Sequence, residues 1–194
     1  GLVGGGVPRG GEVVLTTAAL AGPPTVDPVA GQITVGAGRT LGEVQRAAAA
    51  HGWRYPIDLG ARDTATIGGT VATNAGGNHV LAYGMTRRHL LGIEAVLGTG
   101  AVVRHLGGLV KDNTGYDLAA LLCGSEGTLG LVTAARLRLV PPTGPLATAL
   151  VGFGVPVDHI RTVYDDAATI DGIVAAADWL VANAGPDDTA VFLY

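Results

Sequence analysis

Residues 65–77 read ATIGGTVATNAGG, a run of small side chains with one isoleucine and no charge. Such residues bury little surface and leave backbone N–H groups bare. Glycine reaches φ > 0, so successive amides can turn toward one concave spot and hold a phosphate by their dipoles alone. With PIDLGARDT at 56–64 before it, the run reads as an anion-binding loop, against the alternative of two turns flanking a tightly packed short helix. A second group is GSEGTLGLVT at 124–133, where Glu126 stands in a glycine bend leading into an apolar run. Its carboxylate can cap backbone amides or line a cleft. The third is GAGRTLG at 36–42, placed after a strand and before a helix as a dinucleotide fingerprint would be, with Asp58 about 20 residues past Gly38. The third glycine of that fingerprint falls on Leu41, and the preceding strand belongs to a hairpin, so Gly36 and Gly38 read as turn residues.

These groups need elements to hold them. EVVLTT (12–17) is a β-rich run, and TVDPVAGQITVGAG (25–38) reads as a hairpin turning at Ala30-Gly31. Thr40 caps a helix over LGEVQRAAAAHG, in which Leu41, Val44, Ala48 and His51 recur at helical spacing and Gly52 closes the end. GIEAVLGTGAVVRHL (92–106) is a second hairpin around Gly98-Thr99-Gly100. DLAALLCG (117–124) makes a short helix capped by Asp117, and GLVTAARLRLVPP (130–142) is a strand that proline stops. Past Pro145 the texture changes: ATALVGF (147–153) reads as a strand, 157–184 as helix, and TAVFLY (189–194) as a last strand. A boundary is expected at 141–146.

Of the 194 residues, 48 % are hydrophobic and 14 % charged, which suits a folded domain rather than a disordered one. The formal charge is −4, and no lysine or arginine run follows a phosphodiester backbone, so nucleic acid is not an expected partner. The one cysteine, Cys123, excludes an internal disulfide and a cysteine-based zinc cluster; its thiol is expected to be buried, and the compartment to be reducing, hence cytoplasmic. No run approaches the roughly 20 apolar residues of a transmembrane helix.

Four segments, GLVGGGVPRGG, ATIGGTVATNAGG, YGMTRRHLLGIEAVLGTG and KDNTGYDLAALLCGSEGTLGLVTAARLRLVP, in this order and at this separation, resemble the FAD-binding domain of the vanillyl-alcohol oxidase/p-cresol methylhydroxylase superfamily. Within it they look most like the D-2-hydroxyacid dehydrogenases, the group holding D-lactate, glycolate and D-2-hydroxyglutarate dehydrogenases. The resemblance covers residues 1–142 and implies an α+β fold, mainly the second subdomain of the FAD-binding fold with its antiparallel sheet flanked by helices. Residues 146–194 would begin the C-terminal substrate domain or form a divergent tail. The expected activity is oxidation of a D-2-hydroxy acid to the 2-oxo acid by hydride transfer to flavin, with noncovalent FAD and a small-molecule substrate. The electron acceptor, the catalytic base and a homodimeric assembly stay open, and no metal is assigned. A non-catalytic truncated homologue serving as a binding or assembly module is the competing expectation.

Carried over residue by residue, the resemblance makes Gly1, Leu2 and Val3 the tail of a pyrophosphate loop. Pro56, Asp58, Leu59, Gly60, Ala61, Thr64 and Thr66 would approach the diphosphate and ribityl chain, and Gly68 and Gly69 would let the backbone come close. Asn74, Ala75, Gly76 and Gly77 would lie beside the flavin; Glu126, Gly127, Thr128, Gly130 and Val132 would contact the adenosine and ribose side. Two positions depart from the pattern. Asp63 stands where glycine is common, so its carboxylate must turn outward or weaken binding, and Thr70 stands where asparagine is common.

Overall fold

A computed structural model describes residues 4–143, 147–148, 163–164, 174–175, 178–179 and 182. The chain divides into two compact units, Gly1–Pro142 and Thr143–Tyr194. The first is an antiparallel sheet in the order β1-β2-β5-β3-β4, carried by β1 (Thr25–Asp27), β2 (Gln32–Gly36), β3 (Leu90–Leu97), β4 (Val102–His105) and β5 (Gly130–Arg138). Both expected hairpins form, β1–β2 with Val26 opposite Ile33 and β3–β4 with Ala95 opposite Val103. The long C-terminal strand β5 inserts between them, with Val35 opposite Ala135 on one side and Ile93 opposite the same Ala135 on the other.

Alternation puts Ile33 and Val35 of β2, Ile93 and Ala95 of β3, and Ala135 and Leu137 of β5 into one buried core. The register of β5 against β3 shifts between Glu94 and Ala95, pairing Ala134 and then Val132. That bulge lets Val132 face the core although it lies an odd number of residues from Ala135.

The helix α1 (Leu41–Ala49) lays Leu41, Val44 and Ala48 into this core. Thr40 and Glu43 form a capping box, with Glu43 N–H on Thr40 Oγ1 (3.3 Å) and Thr40 N–H on Glu43 Oε2 (2.9 Å). Hydrogen bonding at Thr40, with Arg39 alongside, holds the Glu43 carboxyl below its ordinary range. Thr40→Ala removes one half of the box, and the urea unfolding midpoint should move down by the equivalent of about 1 kcal/mol. His51 lies beyond the helix and is exposed, and Gly52 closes the end with φ +73°.

Two expectations fail in this unit. Residues 12–17 join no strand: the segment makes turn bonds only at its ends, Glu12 N–H to Arg9 O and Leu20 N–H to Thr17 O, and Val13, Val14 and Leu15 are exposed. High β propensity does not make a strand without a neighbour to complete the ladder. Gly36 and Gly38 are not simply turn residues either. A Cβ at Gly36 would lie 2.1 Å from Leu20 O and one at Gly38 2.3 Å from Thr17 O, so both are glycine because the 17–20 backbone crosses them. Since β2 is antiparallel to both neighbours, the βαβ unit of a dinucleotide fingerprint is absent there.

Of the second unit, β6 (Ala147–Thr148) pairs antiparallel with β7 (Val163–Tyr164), and residues 174–175, 178–179 and 182 are helical. The strand at 163–164 corrects the start of the expected 157–184 helix, where β-branched Val163 and aromatic Tyr164 suit a ladder better than a helical turn. The expected strand at 189–194 lies outside the described residues.

Candidate functional site

The small-residue run contains a short buried helix, α2 (Ile67–Ala72), packed over β2 and β5. Thr66 caps it through Gly69 N–H (3.2 Å), Ile67 and Val71 face the core one turn apart, and Thr70 is buried with its hydroxyl on Ile67 O (2.9 Å). Gly68 serves this packing: its N–H donates to Ala37 O (2.9 Å), and an added Cβ would meet Ala37 Cβ at 2.8 Å. The helix is therefore seated closely on the sheet, and its ends carry the loops that the sequence singles out.

Before α2, the turn 59–64 closes on itself through Arg62 N–H to Leu59 O (3.1 Å) and Thr64 N–H and Oγ1–H to Ala61 O (3.0 and 3.2 Å). The N–H groups of Leu59, Gly60, Ala61 and Asp63 donate to no group among the described residues. Gly60 has open space where a Cβ would stand. Asp63 turns outward, its carboxylate exposed and 3.8 Å from Arg46 of α1, whose charge offsets it. Pro56 is buried, and its carbonyl accepts from His79 Nδ1 (3.1 Å).

After α2, Asn74 adopts φ +47°, and its side chain accepts from Arg87 N–H (2.9 Å). Ala75 O is held by Thr86 through both N–H (2.9 Å) and Oγ1 (2.7 Å). Gly77 has φ +82° and lies against Asp58, whose carbonyl accepts Asn78 N–H (2.8 Å). The third loop is hooked to the same helix end: Gly124 N–H donates to Val71 O and Glu126 N–H to Ala72 O, each at 2.9 Å. Glu126 (φ +52°) and Gly127 (φ +81°) are both left-handed and exposed, a conformation that costs a non-glycine residue on the order of 1 kcal/mol or more. Thr128 donates to Ser125 O (2.6 Å).

Thus 58–61, 64, 66, 69, 74–77 and 126–128 gather around one six-residue helix. Gly130 and Val132 take part otherwise: a Cβ at Gly130 would meet Val96 O at 2.8 Å, and the Val132 side chain is in the core, leaving only backbone for a ligand. Gly1, Leu2 and Val3 lie outside the described residues. Sequence reasoning passed over Gln45, Arg62, Asn78, Thr86 and Arg87, which fasten the loops; the i, i+4 spacing of Asp58 and Arg62 was the one available signal.

Beneath the loops lies a buried polar group. Cys123 is buried as expected, its Sγ 3.8 Å from Asn74 Oδ1, and burial pushes its thiol up. Tyr55 meets His89 edge to face, and burial raises the Tyr55 phenol far above its ordinary value. His89 donates from Nε2 to Tyr83 O (2.8 Å), while Nδ1 has no hydrogen-bond partner, so a proton there would find no acceptor and the neutral ring is favoured. Burial above all, with Arg138 and Arg88 nearby, lowers its pKa. The unfolded chain then binds this proton more readily, so the stability His89 contributes is whole above about pH 6.5 and is lost as pH falls toward the folded value. Urea midpoints should drop between about pH 7.5 and about pH 5.5, and His89→Gln should flatten that interval.

A single antiparallel sheet, a small-residue helix seated on it, and loops with unpaired amides at the helix ends define a domain built to take a phosphate-bearing cofactor. The family described as "FAD binding domain" matches residues 1–105, more than half of the chain. The chain belongs to that family, and its cofactor is FAD. It is 44 % identical over 158 residues to D-2-hydroxyglutarate dehydrogenase of Xanthomonas citri pv. viticola, covering 80 % of this chain and 34 % of that protein. The mitochondrial D-2-hydroxyglutarate dehydrogenase of Bos taurus is 38 % identical over 183 residues, covering 94 % and 34 %. The D-lactate dehydrogenase of Archaeoglobus fulgidus is 40 % identical over 165 residues, covering 85 % and 37 %. The chain therefore spans about a third of the length of these curated relatives. Among solved structures, alkyldihydroxyacetonephosphate synthase shares the fold with a TM-score of 0.55 at 22 % identity, over 64 % of this chain and 22 % of that one. The α+β expectation holds. Among the described residues no group of histidine, cysteine and carboxylate side chains could hold a metal, and no helix is long and apolar enough to cross a membrane.

Proposed function

We propose that this chain is the FAD-binding portion of a flavin-dependent oxidoreductase that converts a D-2-hydroxy acid to the 2-oxo acid. The observation that carries the reading is the turn 59–63 with its unpaired N–H groups, outward Asp63 and uncrowded Gly60, a surface suited to a diphosphate. When bound, the flavin supplies the acceptor for the hydride from the substrate α-carbon. The chain's own part is to orient that cofactor. Leu59, Gly60, Ala61, Thr64 and Thr66 stand at the diphosphate side, Asn74 to Gly77 beside the ring, and Glu126 to Thr128 at the adenosine side, with Gly130 and Val132 contributing backbone. Attachment is noncovalent. The catalytic base and the carboxylate-binding groups belong to the substrate domain, which residues 146–194 begin. The proposed compartment is the cytoplasm, to be distinguished by fractionation from the mitochondrial location named for the relatives from Bos taurus and Rattus norvegicus.

Mixing the purified chain with FAD should yield a visible absorption band that stays with the protein through gel filtration, and its elution volume reads whether the assembly is a homodimer. A colourless protein fraction would refute cofactor binding by this chain. With D-2-hydroxyglutarate, D-lactate or glycolate and an artificial acceptor, the chain alone should leave the band unbleached, whereas the full-length protein should bleach it with at least one of them. A full-length protein inert to all three would refute the substrate class.

A further inference from the structure

Of the loops that meet around α2, 59–64 and 74–78 leave opposite ends of the helix, and no strand pairs residues 59–64 with the second loop. One side chain bridges them. The Asp58 carboxylate, only 12 % exposed, accepts from Arg62 Nη2 (2.8 Å) of the turn, from Gln45 Nε2 (3.3 Å) of α1 and from Asn78 Nδ2 (3.5 Å) of the second loop. Its main-chain oxygen takes Asn78 N–H (2.8 Å), and Asp58 and Gly77 pair as a parallel bridge. Gln45 Nε2 also holds Ile57 O (2.9 Å), so the helix grips the chain on both sides of the bridge.

We propose that Asp58 is the positioning residue of the cofactor site: it clasps the turn 59–64 to the loop 74–78 and touches neither diphosphate nor ribityl chain. This rests on the FAD reading above and revises the role the family resemblance assigns to Asp58. The physical argument is one of lone pairs and charge. A nearly buried carboxylate that accepts from three side chains on three segments has little capacity left for a ligand. Turned toward a diphosphate it would meet like charge. Arg62, bound to it, ties the turn that carries the free amides of Leu59, Gly60 and Ala61 to the residue that pairs with Gly77.

The test uses the full chain carrying Asp58→Ala, Asp58→Asn or Arg62→Met, read by amide hydrogen exchange without cofactor and by FAD titration through quenching of flavin fluorescence. In Asp58→Ala, exchange at the hydrogen-bonded amides of the two loops, Arg62, Thr64, Ala75 and Asn78, should accelerate about tenfold or more while β5 keeps its protection, and the FAD dissociation constant should rise by a similar factor. Asp58→Asn, which still offers an acceptor to Gln45 and Asn78, should recover part of both effects. Should Asp58→Ala fail to fold, Arg62→Met on the half-exposed turn should show the same local acceleration in smaller measure. Weaker or tighter FAD binding with unchanged exchange in both loops would mean direct contact and overturn the proposal. Local acceleration in a chain whose wild type never takes up FAD would leave the clasp standing and overturn the cofactor reading instead.

Discussion

Gly77→Ala is expected to cost the fold about 4 kcal/mol or more, at the level where a marginally stable domain no longer accumulates. Two penalties combine. The residue sits at φ +82°, where a side chain costs about 1–2 kcal/mol. The new Cβ would also lie 1.8 Å from Asp58 O and 2.8 Å from Asp58 C, atoms of a backbone that Asn78 N–H holds at Asp58 O and Gln45 Nε2 holds at Ile57 O. The strand-like bridge between 58 and 77 would have to open, and with it the contact between the two cofactor loops. Urea unfolding and soluble yield read the outcome. Gly60→Ala is the informative contrast. That glycine has open space around it, so the fold should lose no more than about 0.5 kcal/mol, while the methyl group projects where the diphosphate is proposed to lie. Gly60→Ala should therefore weaken FAD binding in a protein of nearly wild-type stability. Equal losses in both properties at both positions would contradict the assignment of 77 to architecture and 60 to ligand approach.

Ile67→Ala should cost about 3 kcal/mol. Its side chain is fully buried at the first turn of α2, in one core with Val71 and the inward residues of the sheet. The loss matters beyond the transfer of a few methylenes, because α2 is the element on which the loops are hung through Val71 O and Ala72 O. A guanidinium or urea melt gives the stability, and the FAD dissociation constant of the folded fraction should rise as well. A surface position on the same helix, Gly69, is exposed and should tolerate alanine. Its Cβ would stand 3.3 Å from Thr66 Oγ1, close enough to perturb the cap without breaking it.

Elements with a local cause were legible. The capped helix α1 follows from Thr40, the apolar spacing and Gly52, each within one helical length of sequence. The hairpins follow from adjacent β runs around glycine turns. The burial of Cys123 and the outward turn of Asp63, one of two outcomes foreseen for that carboxylate, followed from a thiol in an apolar run and from a charge next to a proposed anion site. Elements whose cause is remote were misread. EVVLTT has every local mark of a strand, yet a ladder partner decides whether a strand forms, and no partner is legible within six residues. The glycines of GAGRTLG were explained by the turn they occupy, whereas the 17–20 segment that forbids a side chain there passes some 16 to 21 residues earlier in the chain.

The sequence by itself determined the family, the cofactor and the α+β class, because four ordered glycine-rich segments at fixed separations carry more information than any one of them, and because capping and alternation act between near neighbours. Only the tertiary structure decided which small residues serve the ligand and which serve the packing. ATIGGTVATNAGG looks uniform as a string, yet Gly68 is spent on Ala37, Gly77 on the Asp58 backbone, and Gly69 is left at the surface. The same holds for Asp58, whose type suggests a ligand contact and whose three partners at sequence separations of 4, 13 and 20 make it a clasp. A missing Cβ has no chemistry of its own, and a carboxylate accepts from whatever donors surround it. What each does is set by the atoms that the fold brings within about 3 Å.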